Sequence, residues 1–169
     1  QVDGNKYKLK GIRVRGDLIV PVVPDAADVQ QARIVRVLLV EDTMPNGTQA
    51  QGEDVLQDMG TLGENVHSFM RVANNLGKFK VHSDKTYVLN VTAAGTDGVN
   101  TNSVGFVTQK FKINKMFKKP HDVTIKSGNA TPTVAGTVNS NFFLLVGASG
   151  AAATVAVTMQ ACSRAYYCD

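Results

Sequence analysis

Side chains alternate with period two along much of this chain, and that pattern confines it to β-structure. Residues 6–15 read KYKLKGIRVR, with basic and apolar side chains taking turns. A strand points successive side chains to opposite faces, so such a segment has one wet face and one dry face. Residues 18–23 continue apolar until Pro21 and Pro24 end the run. Residues 33–40 (RIVRVLLV) suit a strand buried on both faces. Asp42 to Gly47 (DTMPNG) reads as a turn, since Pro and Asn-Gly supply the backbone angles.

The same reasoning predicts strands at 69–81, interrupted near Asn74 to Gly77, and at 85–92 after a turn at Asp84. It predicts others at 104–118, ended by Pro120, and at 123–125. A buried strand at 141–146 and a closing strand at 154–167 complete the set, with Gly147 to Gly150 as a tight connection. Residues 93–103 are a polar loop. The one helix candidate is 53–59 (EDVLQDM), about two turns, whose first acids favour the positive end of the dipole. About eight strands, one short helix and long polar loops result. Strands do not alternate with helices, so the expectation is an all-β fold: a single eight-stranded jelly roll, two antiparallel sheets in one domain over 1–169.

Composition narrows the function. A chain of 169 residues with 43% hydrophobic and 19% charged residues can bury a core and is not a disordered tail. No run of about 18 apolar residues exists, so no transmembrane helix and no membrane partner are expected. The first residues are polar and basic, without the apolar stretch of a signal peptide. Gln1 in place of Met implies removal of residues or a longer parent chain. Cys162 and Cys168 on one extended strand would lie roughly 20 Å apart. A disulfide needs Cα atoms within about 7 Å, so free thiols are expected.

Catalytic and metal motifs are absent. No G-x-S-x-G, P-loop, H-E-x-x-H or C-x-x-C occurs, so neither catalysis nor a cofactor is expected. His67, His82 and His121 are scattered and read as surface or turn residues rather than metal ligands. Glu41, Asp42, Glu53, Asp54, Asp58 and Glu64 occur with no Lys or Arg between them. They read as a solvated acidic loop, because the ligand spacing of a Ca²⁺ loop is missing. Three Asn-x-Thr triplets, at Asn46, Asn90 and Asn129, read as chance matches.

Two basic clusters carry the remaining chemistry. The first is Lys6, Lys8, Lys10, Arg13 and Arg15. Its three lysines make a stripe about 13 Å long at strand rise. The second is Lys110, Lys112, Lys115, Lys118 and Lys119, followed by His121 and Lys126, with Phe106, Phe111 and Phe117 interleaved. Such residues neutralise phosphates and release counterions, and exposed Phe rings stack on bases. The alternative is a solvated strand face with the Phe rings in the core. The net charge of +4 and pI near 9.1 are mild for a nucleic-acid binder.

The order of segments resembles the capsid proteins of small circular single-stranded DNA viruses, the geminivirus-like group. The similar stretches are KYKLKGIRVRGDL, ARIVRVLLVEDTMPNGT, EDVLQDM, FMRVANNLGKFKV, FKINKMFK, NFFLLVGAS and ATVAVTMQACSRAYYCD. The resemblance implies an eight-stranded jelly roll, with sixty copies or a multiple closing a shell around single-stranded DNA in the virion, assembled in the host nucleus. It places residues 6–19 on the second jelly-roll strand; the alternative is that 6–15 and 18–23 are two separate strands. It also puts 106–118 in the sheet not shared with the first and last strands, which separates the two basic clusters. The family's strongly basic N-terminal arm is missing here. Sixty chains at +4 would carry 240 positive charges, fewer than a genome's phosphates.

The resulting expectation is a structural subunit that self-assembles and binds single-stranded DNA through inward-facing Lys and Arg. Backbone contact alone does not distinguish DNA from RNA, so the coat of a small RNA or satellite virus is the close alternative. A secreted lectin-like sandwich would show an exposed aromatic or carboxylate cluster at one end. A cupin-like enzyme would need histidines and a carboxylate that converge.

Overall fold

The computed structural model describes residues 6–22, 32–57, 70–90, 105–125, 136–149 and 157–168. They form six strands: β1 (Lys6–Val22), β2 (Ala32–Asp42), β3 (Phe79–Asn90), β4 (Gly105–Thr124), β5 (Asn141–Ser149) and β6 (Thr158–Cys168). A single-turn helix, α1 (Gly52–Val55), lies between β2 and β3. The strands make two three-stranded antiparallel sheets, ordered β4-β1-β6 and β3-β2-β5. Only β2 and β3 are both consecutive and paired. The chain otherwise passes from one sheet to the other, the wrapping that gives jelly rolls their double layer. The fold is therefore an all-β, jelly-roll-like sandwich.

The core lies between the sheets. Leu9, Ile12, Val14, Leu18 and Val20 of β1 face Val35, Val37 and Leu39 of β2, with Phe111 and Ile113 of β4 beside them. Strand β2 is buried on both faces, as its mostly apolar run RIVRVLLV predicts. Its other row, Leu38 and Val40, is covered by Val55, Leu56 and Phe79. Along one side the sandwich is closed: Lys85 Nζ of β3 donates to the Lys112 carbonyl of β4 at 2.6 Å, and Tyr87 packs edge-on to Phe111.

Several segments differ from expectation, each for a tertiary reason. The segments expected at 69–81 and 85–92 yield one strand, β3, that begins only at Phe79. Residues 73–75 form a 3₁₀ turn before it. Asp84, expected in a turn, lies within β3 because Arg36 on the neighbouring strand holds it. The guanidinium forks onto the carboxylate at 2.9 and 2.6 Å. Those hydrogen bonds raise the Arg36 pKa; burial opposes the rise, and the Asp84 charge adds to it. Asp84→Ala is expected to cost about 2 kcal/mol, because it removes the carboxylate from a largely buried guanidinium. A urea titration of the variant checks this.

Pro120 does not end β4. Residues 117–120 bulge opposite Lys10, and pairing resumes at Leu9 and His121, so the two strands expected on either side of Pro120 are one strand, Gly105–Thr124. The helix has one turn rather than two. The Gln51 N–H donates to Asp54 Oδ2 at 2.8 Å at its start. Leu56 then turns extended and bridges Arg71, which removes the second turn. Strand β5 is an edge strand and half-buried, not fully buried. The turn after β2 matches its sequence: Asp42 Oδ1 accepts the Met44 N–H at 3.0 Å, and Gly47 has φ 91°. The loop expected at 93–103, together with His67, Asp58, Glu64, Lys126 and Asn129, lies outside the described residues.

Candidate nucleic-acid interface

The separation of the two basic clusters does not hold. Strand β4 pairs with β1, and β1 pairs with β6, so all three share one sheet. Leu9 and Tyr7 point to the core, so Lys6 and Lys8 point outward. In a regular strand Arg13 and Arg15, at odd positions, would then face inward with Leu9. The register shift at Lys10 reverses the phase. Ile12 and Val14 enter the core instead, and Arg13 and Arg15 join Lys6 and Lys8 outside.

The partner strands extend this face. Arg15 stands between Lys112 of β4 and Cys162 of β6, and Arg13 between Asn114 and Arg164. Asp17 lies between Lys110 and Gln160, and Lys8 between Asp122 and Cys168. Among the described residues of this sheet, Asp17 and Asp122 are the only acids paired with Lys6, Lys8, Arg13, Arg15, Lys110, Lys112 and Arg164 or their neighbours. Two open depressions cross it. One of about 590 Å³ is lined by Arg15, Asp17, Lys110, Lys112 and Cys162. The other, of about 310 Å³, is lined by Arg13, Arg15, Arg164 and Tyr166.

The rest of the second cluster is distributed differently. Lys115 pairs with core-facing Ile12 and leaves β4 on the opposite row from Lys112, with its Nζ 6.0 Å from the Phe117 ring centroid. Lys118 and Lys119 are exposed in the bulge opposite Lys10. Of the aromatics, Phe111 is buried and Phe117 packs against the core, whereas Phe106 is 63% exposed. Arg164 and Tyr166 were not among the predicted residues. Their signal is the alternation of β6, which continues the outward row of Gln160 and Cys162.

A second constellation overturns the reading of two histidines as surface residues. Glu41 is 1% exposed at one end of the core, not part of a solvated loop, and Asp42 is buried beside it. His82 Nε2 lies 2.7 Å from Glu41 Oε2. His121 Nε2 lies 2.6 Å from Oε1, which also accepts the Ser140 hydroxyl at 2.7 Å. An ionised carboxylate only accepts, so both Nε2 atoms carry the protons. Phe117 and Phe142 pack against both imidazoles at 5.3 to 5.7 Å between centroids. Burial pushes the Glu41 pKa up. Hydrogen bonds from His82 and Ser140, with the charge and hydrogen bond of His121, outweigh it and bring the pKa down to about 2.

This cluster ties the two sheets together, because His121 comes from β4 and Glu41 and His82 come from the other sheet. It has the members a cupin-like centre needs. The imidazole N–H groups, however, are spent on the carboxylate, and no group of three ligands among the described residues is placed to hold a metal. One signal was available in the sequence. Glu41 falls on the same row of β2 as Val35, Val37 and Leu39, and an acid on a core row needs partners.

Both cysteines are free and lie on β6. No helix among the described residues is long and apolar enough to cross a membrane. The fold and this face define a class: a β-sandwich with one sheet partly covered on its outside by Val55 and Leu56 and one sheet whose outer face, among the described residues, is exposed and basic. No protein-family model matches the chain, and no curated protein is significantly similar to it.

Proposed function

We propose that this chain is a structural subunit of an icosahedral viral shell, and that the outer face of β4-β1-β6 binds the phosphates of packaged single-stranded DNA. The observation that supports this reading is the gathering of Lys6, Lys8, Arg13 and Arg15 of the first cluster with Lys110 and Lys112 of the second on one exposed sheet face. On the other sheet, Val55 and Leu56 cover Leu38 and Val40 of the outer face, so the two faces of the sandwich differ in kind. A shell subunit needs this polarity: one face toward the genome, with edges and loops left for its neighbours. Sixty copies or a multiple, related by closed symmetry, would carry the face inward.

The test is particle size by light scattering or negative-stain imaging of the full-length protein, with the 260/280 nm absorbance ratio. Uniform shells with a high ratio are expected. A small oligomer free of nucleic acid would overturn the proposal. Digestion of the contents by DNase or RNase separates this reading from an RNA-virus coat. Arg13→Ala, Arg15→Ala, Lys110→Ala and Lys112→Ala combined should still assemble but hold less nucleic acid. The salt slope of binding to a single-stranded oligonucleotide should fall by about 3, at about 0.7 per phosphate contact. An unchanged slope would remove these residues from the interface.

A further inference from the structure

Between the charged rows of the basic face lies an apolar one. Gly11 of β1 stands between Met116 of β4 and Tyr166 of β6. A Cβ at Gly11 would come 2.5 Å from Met116 Sδ and 2.7 Å from the Lys115 carbonyl, so the space above the glycine belongs to the methionine. Met116 is nevertheless 47% exposed, a large apolar side chain held at the surface of a basic sheet. Tyr166 is half-buried, and the Arg13 guanidinium lies over its ring at 5.6 Å from the centroid. Arg13 Nε is also 3.4 Å from Asn114 Oδ1.

The next rows hold Arg13 beside Arg164, then Arg15 beside Lys112. The 310 Å³ depression joins Tyr166 to Arg13, Arg15 and Arg164. That volume falls at the low end of the roughly 300–1,000 Å³ of small-ligand sites. A face meant only to neutralise charge has no use for a ring and a thioether in its middle. A nucleotide has both a π-face and a phosphate, and each finds its complement here at neighbouring rows. In a duplex the base faces are hidden in the stack, whereas single strands offer them to aromatic side chains.

We infer that Tyr166 and Met116, with Arg13, Arg15 and Arg164, form a site for one nucleotide of a single strand. The base stacks at Tyr166 and the phosphates sit on the arginines. This rests on the nucleic-acid reading of the same face and adds that the face reads unpaired bases as well as charge.

The test compares three probes on the full chain: oligothymidylate, a DNA duplex of equal length, and inorganic polyphosphate, which has no bases. Tyr166→Ala should weaken oligothymidylate binding about tenfold, from the loss of one base stack. It should leave polyphosphate binding within about twofold. Tyr166→Phe should bind as the parent does. Arg13→Ala with Arg164→Ala should weaken all three probes. If Tyr166→Ala changes all probes equally, or none, the inference fails while the broader reading stands. If the parent chain binds none of the three, both fail. A measurement on the unaltered protein covers the case in which Tyr166→Ala does not fold. Photocrosslinking of a 5-iodouracil oligonucleotide should label the peptides of Tyr166 or Met116, and labelling only elsewhere overturns the inference.

Discussion

Glu41→Ala is expected to cost about 3–5 kcal/mol, as removal of one partner from a buried ionic cluster does. Domains are stable by only about 5–15 kcal/mol, so the variant should unfold at far lower denaturant. Alanine would leave the His82 and His121 N–H groups and the Ser140 hydroxyl without their acceptor. It would also release the tie between the two sheets at that end. Glu41→Gln keeps the shape but replaces an acceptor with a donor aimed at an N–H, so it should cost less than alanine and still more than a surface change. A Glu41→Ala chain as stable as the parent would remove the cluster from the account of the fold.

The same residue sets a pH window. Folded Glu41 titrates near 2 against an ordinary 4.5. A carboxyl with a depressed folded pKa stabilises the fold fully above its unfolded pKa and loses that contribution as pH falls through the folded one. Glu41 therefore contributes about 3 kcal/mol above pH 4.5. The contribution disappears between pH 4.5 and 2. The stability gap between the parent and Glu41→Gln should close by that amount over this interval. Parallel denaturant titrations at stepped pH measure it, and a gap that stays constant down to pH 2 would contradict the assignment.

The second large effect is expected at Gly16. This residue sits on the core row of β1, paired with Ala161 of β6 and Phe111 of β4. A Cβ would lie 2.3 Å from the Gln160 carbonyl oxygen, 2.9 Å from Ala161 Cα and 2.7 Å from the Phe111 ring. Two of those atoms are backbone and cannot swing aside. Gly16→Val must part β1 from β6 or displace Phe111 from the core, at about 3 kcal/mol, the upper end of overpacking costs. Gly16→Ala should cost less, and Gly77→Ala serves as the control. Nothing lies within 4 Å of a Cβ at Gly77. Thermal melts of the three variants should rank in that order, with Gly77→Ala near or above the parent. A Gly16→Val melt equal to the parent's would show that the two strands are not so closely paired.

The all-β class, the doubly buried β2, the turn at 42–47 and the exposed lysines of β1 were legible because each depends on neighbours in sequence. Alternation and turn chemistry act over a few residues, so the residues that display them also cause them. Gly16 was legible only as a glycine; its necessity comes from the Gln160 backbone far along the chain. Asp84 shows how such reasoning fails. Its local preference is for a turn, and a fork from Arg36, 48 residues earlier, keeps it in a strand.

The basic face and the Glu41 cluster depend on contacts of this distant kind. Lys6, Lys8, Arg13 and Arg15 can be counted in the sequence, but their common face depends on a bulge at Lys10 that exists only against β4 and β6. Lys110 and Lys112 reach that face because β4 chose β1 as its neighbour, and strand pairing is decided by packing across the whole sandwich. Glu41 meets His82 and His121 across 41 and 80 residues. Side-chain period is a property of the strand itself; register and sheet partner are properties of the completed core, and they placed every charged group at issue here.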